Sequence, residues 1–231
     1  MLEVRNLHSY YGKSAIIQGI DFTLPPSGFL GIVGRNGVGK TTLLRTLMGL
    51  TDSATGEVKL EDADLLSLTT PQRAAAGIAY IPQGREVIAP FTVRENLLMG
   101  TFPRADGSRD VPEYIYEMFP ILKEFIDRRA GDLSGGQQQQ LAIGRALAMK
   151  PKIMLLDEPT EGIQPNIVKQ IEEVLLQLNR DMGLTIVLVE QNTRFVREAA
   201  DQFILLEKGR VSLSGSGEEL TRDVVEKYLA I

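Results

Sequence analysis

The chain has 231 residues, 43% hydrophobic and 24% charged, which is globular and long enough for one large α/β domain or a domain with a subdomain. It contains no cysteine, which excludes disulfides, thiol catalysis and cysteine-based metal sites. A net charge of −5 without a basic block disfavours a nucleic-acid partner, no apolar stretch approaches the ~20 residues of a membrane span, and the N-terminus lacks a signal-peptide pattern.

Leu2–Leu7 alternates apolar and polar residues and predicts a strand; Ile16–Leu24 predicts a second. Tyr10–Lys13 is the turn between them. Tyr11 there either stacks on an adenine ring or caps the strand edge. Pro25–Gly28 turns the chain into a buried strand, Phe29–Val33. A helix is expected over Thr41–Met48, ended by Gly49. Ser53–Gly56 reads as a turn and Glu57–Leu60 as a short strand. Pro71–Ala76 is a short helix stopped by Gly77, and Ile78–Ile81 a buried strand broken by Pro82-Gln83-Gly84. From Thr92 to about Lys150 the pattern is helical without a convincing strand. Within it, Gly100–Pro112 is a loop and Val111–Phe125 is amphipathic. The run Gln137–Gln140 sits inside a helical pattern. Beyond it come a strand over Lys152–Leu156, a helix over about Asn166–Asp181, a strand over Thr185–Val189 and a helix over about Thr193–Ala200. Phe203–Leu206 and Arg210–Leu213 predict a strand pair, and Gly217–Leu229 a helical tail. The result is an α/β domain with a helical insertion, 92–150, in a core of 1–91 and 151–231.

Between the third predicted strand and the first helix, Gly34-Arg35-Asn36-Gly37-Val38-Gly39-Lys40-Thr41 fits G-x-x-x-x-G-K-[ST], with Thr42 next. A triphosphate needs many N–H donors at close range. Glycines let the backbone wrap closely, and the helix start adds free amides and a favourable dipole. Lys40 would reach the β- and γ-phosphates, and the Thr41 hydroxyl would bind Mg²⁺. A second motif is the apolar strand ending in Asp157-Glu158. In an open α/β sheet, carboxylates at a strand's C-terminal end lie where ligands bind. Asp157 would hold Mg²⁺ through water, and Glu158 would polarise the attacking water. A third is Leu133-Ser134-Gly135-Gly136-Gln137 ahead of a helix, a possible second phosphate-binding turn. One triphosphate does not need two such turns from one chain, so this one is expected to face another subunit's nucleotide.

The ordered set Tyr11, Gly34–Thr42, Gln83, Leu133–Gln137, Ile153–Glu158 and Gln191 resembles the ATP-binding-cassette family over nearly the whole chain. The resemblance implies a P-loop ATPase fold with an antiparallel β subdomain and a helical subdomain. It implies an enzyme that uses ATP and Mg²⁺ and dimerises head to tail. It marks Tyr11 as the adenine-stacking aromatic and Gln83 as a glutamine near Mg²⁺ and the attacking water. Residues 134–137 would be the signature that closes over the opposite ATP. Expected partners are a sister ATPase, two transmembrane permease subunits and an extracytoplasmic solute-binding protein. The expected location is the cytoplasmic face of the inner membrane. Two departures stand out. Gln191 occupies the place of a histidine, and Glu161-Gly-Ile-Gln164 replaces a segment that usually carries an aspartate. Glutamine can hydrogen-bond a γ-phosphate but cannot carry a proton as histidine does. This implies a heterodimer whose sister supplies the histidine, and marks His8 as an ordinary strand residue. Within the family the chain looks like the smaller ATPase of branched-chain amino-acid-type importers. Arg35, Val38, Tyr80–Glu86, Glu95–Gly100 and Glu161–Pro165 lean toward the urea and short-chain amide branch, with branched-chain amino-acid import as the alternative. A non-transport cassette protein and a binding-only regulatory module are the rival readings.

Overall fold

A computed structural model describes residues 1–229. The chain opens with β1 (Leu2–Tyr11) and β2 (Ser14–Leu24), an antiparallel hairpin turned at Gly12-Lys13. β3 (Phe29–Val33) follows, then α1 (Lys40–Met48), β4 (Ser53–Leu60), the short β5 (Ala63–Asp64), α2 (Thr70–Ala75) and β6 (Ile78–Ile81). Helices α3 (Val93–Gly100), α4 (Tyr114–Met118), α5 (Pro120–Glu124) and α6 (Gly135–Ala148) come next. The last third runs β7 (Ile153–Asp157), α7 (Pro165–Arg180), β8 (Thr185–Val189), α8 (Thr193–Ala199), β9 (Gln202–Glu207), β10 (Arg210–Ser216) and α9 (Arg222–Tyr228).

Two sheets form. The antiparallel one has the order β2-β1-β4-β5; the other has the order β10-β9-β3-β8-β7-β6 and is parallel except for β10. Strand alternation sorts the side chains into two cores. Ile153 and Leu155 of β7 face one side with Leu43, Leu44 and Leu47 of α1 and the apolar face of the β1–β2–β4 sheet. Met154 and Leu156 face the other, with Leu97 of α3, Leu141 of α6 and Leu175 of α7. α1 is thus clamped between the sheets, and residues 93–148 share their core with the opposite face of the parallel sheet.

Two expectations change. Ser53–Gly56 is not a turn but the first half of β4. A register shift between Arg5 and His8 absorbs it, with Asn6 at φ 45 and Gly56 at φ 110. Gly56 is read as a turn residue from sequence, but here its positive φ serves a bulge, where a Cβ would strike the Asn6 carbonyl. The amphipathic run Val111–Phe125 becomes two short helices, because Pro120 starts a new one and Phe119 leaves the helical region at φ −129, ψ 74. Among the described residues the 92–150 stretch holds no strand beyond a lone Thr92–Arg129 bridge.

One buried cation fastens α1. Arg73 of α2 donates from Nη1 to Thr46 O (2.7 Å) and Leu47 O (2.9 Å), and from Nε to Leu68 O (3.0 Å). It meets carbonyls in the last turn of the helix, of which Thr46 O also accepts from Gly49 N at 3.0 Å.

Candidate functional site

The parallel register sets the site. Ile32 and Asp157 both pair with Val189, and Ile81 pairs with Leu156. The loops leaving β3, β6, β7 and β8 therefore emerge side by side at the C-terminal edge of the sheet, where open α/β folds bind ligands. They carry Gly34–Gly39, Gln83, Glu158 and Gln191 respectively.

A cavity of about 350 Å³ opens there, walled by Tyr11, Asn36, Gly37, Gly39, Lys40, Thr41, Thr42, Gln83 and Glu158, and by Ile16 of β2. Lys40, at the first position of α1, is buried. Its Nζ donates to Gly34 O at 2.9 Å and Arg35 O at 3.2 Å and lies 3.4 Å from Glu158 Oε1. Glu158 Oε2 accepts from Gln191 Nε2 at 2.9 Å, with Gln83 Nε2 at 3.4 Å. Gln191 Nε2 also lies 3.4 Å from Asn36 Oδ1. One buried carboxylate is thus reached from three loops. Glu158 itself sits at φ 47, a left-handed conformation that costs a non-glycine residue energy and turns the chain off β7.

Asp157, one residue earlier, is fully buried, and neither carboxylate oxygen makes a well-aligned hydrogen bond among the described residues, although the Thr41 and Tyr80 hydroxyls lie near enough to favour its charged form. Burial pushes its pKa up; Thr41 and Lys40 pull it down, and the charge of Glu158 adds to the rise. A buried, unsatisfied carboxylate beside a hydroxyl is a fit for a hydrated divalent cation, which satisfies both oxygens. No cluster of three acidic or histidine ligands exists among the described residues.

Gly34, Arg35 and Val38 take other parts. Gly34 and Arg35 face a neighbouring cavity of about 370 Å³ with Glu190 and Gln191, while their carbonyls hold Lys40. The Val38 side chain packs with the apolar core under α1, and its carbonyl accepts from Gly209 N at 2.9 Å. Ser134, Gly135, Gly136 and Gln137 are not walls of the 350 Å³ cavity. Ser134 caps α6: Ser134 N donates to Gln137 Oε1 at 2.9 Å, and Gln137 N to Ser134 Oγ at 3.4 Å. His8 lies on β1 against Asn6 Oδ1 at 3.1 Å, away from the cavity.

Three residues, Glu190, Glu161 and Ile16, are given no site role by the sequence, where Glu161 stands out only in a segment that departs from the family pattern. Buried Glu190 accepts from Thr160 Oγ1 at 2.6 Å and from Gln191 N at 2.9 Å, tying the loop after β7 to the loop after β8. Glu161 accepts from Gln83 Nε2 at 2.6 Å. An acidic residue following Asp-Glu was the available signal for Glu161; for Glu190 and Ile16 the pattern gave none.

The family model described as ABC transporter matches residues 17–161. The chain belongs to the ABC transporter family. Its ATPases couple ATP turnover to transport, and this cassette is one of them. It is 41% identical over 221 residues to the high-affinity branched-chain amino acid transport ATP-binding protein BraG of Pseudomonas aeruginosa, covering 95% of this chain and 94% of that one. It is 37% identical to the probable branched-chain amino acid transport ATP-binding protein LivF of Archaeoglobus fulgidus, at the same coverage. A dimeric cassette solved in a post-hydrolysis state with ADP and phosphate superposes with a TM-score of 0.80 at 26% identity, covering 94% of this chain and 98% of that one. The cassette fold expected from the motifs is therefore present: the phosphate loop, the antiparallel sheet and the helical elements. No described helix is long and apolar enough to cross a membrane.

Proposed function

We propose that the chain is the ATP-hydrolysing subunit of an importer and that ATP occupies the cavity beneath Tyr11. The observation that carries this reading is Glu158, one buried carboxylate held among Lys40, Gln83 and Gln191. Lys40 would exchange the carbonyls of Gly34 and Arg35 for β- and γ-phosphate oxygens. The amides from Gly37 to Thr42 would meet the phosphates, and Tyr11 would stack on adenine. Thr41 and, through water, Asp157 would hold Mg²⁺, with Gln83 nearby; the ion's contribution is to neutralise phosphate charge. Glu158 would orient and polarise the attacking water. Gln191 keeps Glu158 Oε2 in place; as an amide it orients and cannot relay a proton.

Ser134–Gln137 lie off the cavity, which supports a head-to-tail dimer in which they cover a partner's ATP. Gln191 supports a sister ATPase as that partner, with two permease subunits and an extracytoplasmic solute-binding protein completing the system at the cytoplasmic face of the membrane. For the solute, the two relatives favour a branched-chain amino acid over the urea to which the loop residues lean. Urea and short-chain amides stay as the second reading, carried by Arg35, Val38, Tyr80–Glu86, Glu95–Gly100 and Glu161–Pro165.

The deciding experiment is twofold. Glu158→Gln should cut ATP turnover by about 100-fold or more while ATP still binds, since general-base assistance is worth roughly 10²–10⁴. Normal turnover would remove Glu158 from catalysis. In vesicles reconstituted with the sister ATPase and permeases, leucine through its binding protein should stimulate turnover; stimulation by urea alone would move the solute to the second reading.

A further inference from the structure

Gln83 is already occupied. Its Nε2 lies 2.6 Å from Glu161 Oε2 and 3.4 Å from Glu158 Oε2. Two carboxylate oxygens around one nitrogen fix the amide's orientation, because turned over its oxygen would face both anions. The shorter bond goes to Glu161, in the loop that follows β7. A second tie joins the same two loops: Arg85 Nη2 donates to Gly162 O at 3.4 Å. The Arg85 guanidinium also covers the start of α6, where a Cβ added at Gly135 would lie 2.7 Å from Nη1. The segment bearing Gln83 is therefore pinned at Gln83 and at Arg85. It also runs through three successive positive-φ residues, Gly84, Arg85 and Glu86, at 87, 73 and 44.

We propose that Glu161 is a positioning residue, a latch that keeps the Gln83 amide turned toward the carboxylates until metal-bound ATP draws it away. This rests on the role given above to Gln83. A bond from a neutral amide to a carboxylate is charge-assisted, and it must be given up before Gln83 can serve a cation with its oxygen. The cost therefore falls on binding of ATP with its metal and leaves binding of ATP alone untouched. Gln83 and Glu161 are both exposed, so water competes for the bond and its worth is modest. Removing it should tighten metal-dependent binding by about three- to tenfold.

The test is equilibrium binding of a fluorescent, non-hydrolysable ATP analogue to the full chain, in Mg²⁺ and in EDTA. Glu161→Ala should tighten binding in Mg²⁺ by that factor and leave it unchanged in EDTA. Glu161→Gln, which keeps an acceptor but drops the charge, should fall between the parent and Glu161→Ala. On a Gln83→Ala background, Glu161→Ala should have no effect, because the partner it restrains is gone. An unchanged affinity in Mg²⁺, an equal shift in EDTA, or the same shift on the Gln83→Ala background overturns the latch. Gln83→Ala alone should weaken binding in Mg²⁺; if it does not, the role of Gln83 falls and the latch with it, a result separable from failure at Glu161.

Discussion

The helices that begin at Lys40 and at Gly135 start in opposite ways. α1 has Gly39 at its N-cap, at φ 110, with no side chain accepting from the first turn and no acidic residue in it. α6 has Ser134 at its N-cap and closes a reciprocal box with Gln137. Both are glycine-rich helix starts of the kind that binds anions. The first keeps its amides open, so an anion is the natural occupant. The second already engages the Ser134 and Gln137 amides with side chains, so an anion there must add to or displace that box. The chain thus carries one helix start with its first turn uncapped by any side chain and one already capped, a difference that fits the proposed head-to-tail arrangement.

Substitutions can break this contrast, and the largest effect belongs to the open start. Lys40→Ala should reduce ATP turnover by 100-fold or more, because Lys40 is the one buried cation in the cavity wall. Steady-state ATPase assays check it; turnover within tenfold of the parent would refute the assignment of the open site.

Asp157→Asn sharpens the same end. Turnover should fall at least tenfold, yet the nucleotide-free chain should become more stable by about 1–3 kcal/mol, since an unsatisfied buried carboxylate is replaced by a neutral group. The sign in pH follows from the direction of the shift. Burial raises the Asp157 pKa above its ordinary 3.8, so between 3.8 and the raised folded value the folded chain holds a proton the unfolded chain has released. Stability from this group falls as pH rises through that window. The gain from Asp157→Asn should therefore grow as pH rises through that window and vanish as pH drops toward 3.8, measured by denaturant titrations at stepped pH.

Gly39→Ala should cost about 1–2 kcal/mol. It strains a left-handed residue and brings a Cβ to 3.1 Å from Ile17 Cδ1. A smaller effect awaits at the closed start: Ser134→Ala should cost about 1 kcal/mol of stability through loss of a cap. Thermal melts of both variants order them, and a Ser134→Ala loss larger than that of Gly39→Ala would reverse the contrast.

Much of the molecule was legible because its sequence signals are local. The strands Phe29–Val33, Ile78–Ile81 and Thr185–Val189 match their apolar runs residue for residue, since a strand buried on both faces needs no alternation to be seen. Lys40, Thr41 and Glu158, picked out from two separate motifs, come together in the wall of one cavity. What stayed hidden depends on distant partners. Gly56 looks the same in a turn as in a bulge, and only its pairing with β1 decides. The Gln83–Glu161 bond spans 78 positions, and an acidic residue shortly after Asp157-Glu158 does not by itself point to Gln83. Glu190 was passed over for a simpler reason: it precedes the conspicuous Gln191, and its acceptors turn back to Thr160 and the Gln191 amide.

Arg73 bears on how motion travels through the cassette. It sits on α2, which runs into β6 and so to Gln83, and it grips the far end of α1, whose near end holds Lys40. The near ends of these two arms meet at Glu158. α1, Arg73, α2, β6 and Gln83 therefore make a closed linkage, hinged by one guanidinium at the back and by one carboxylate at the front. A substitution at Arg73 would slacken the rear of that frame without changing any residue that lines the cavity.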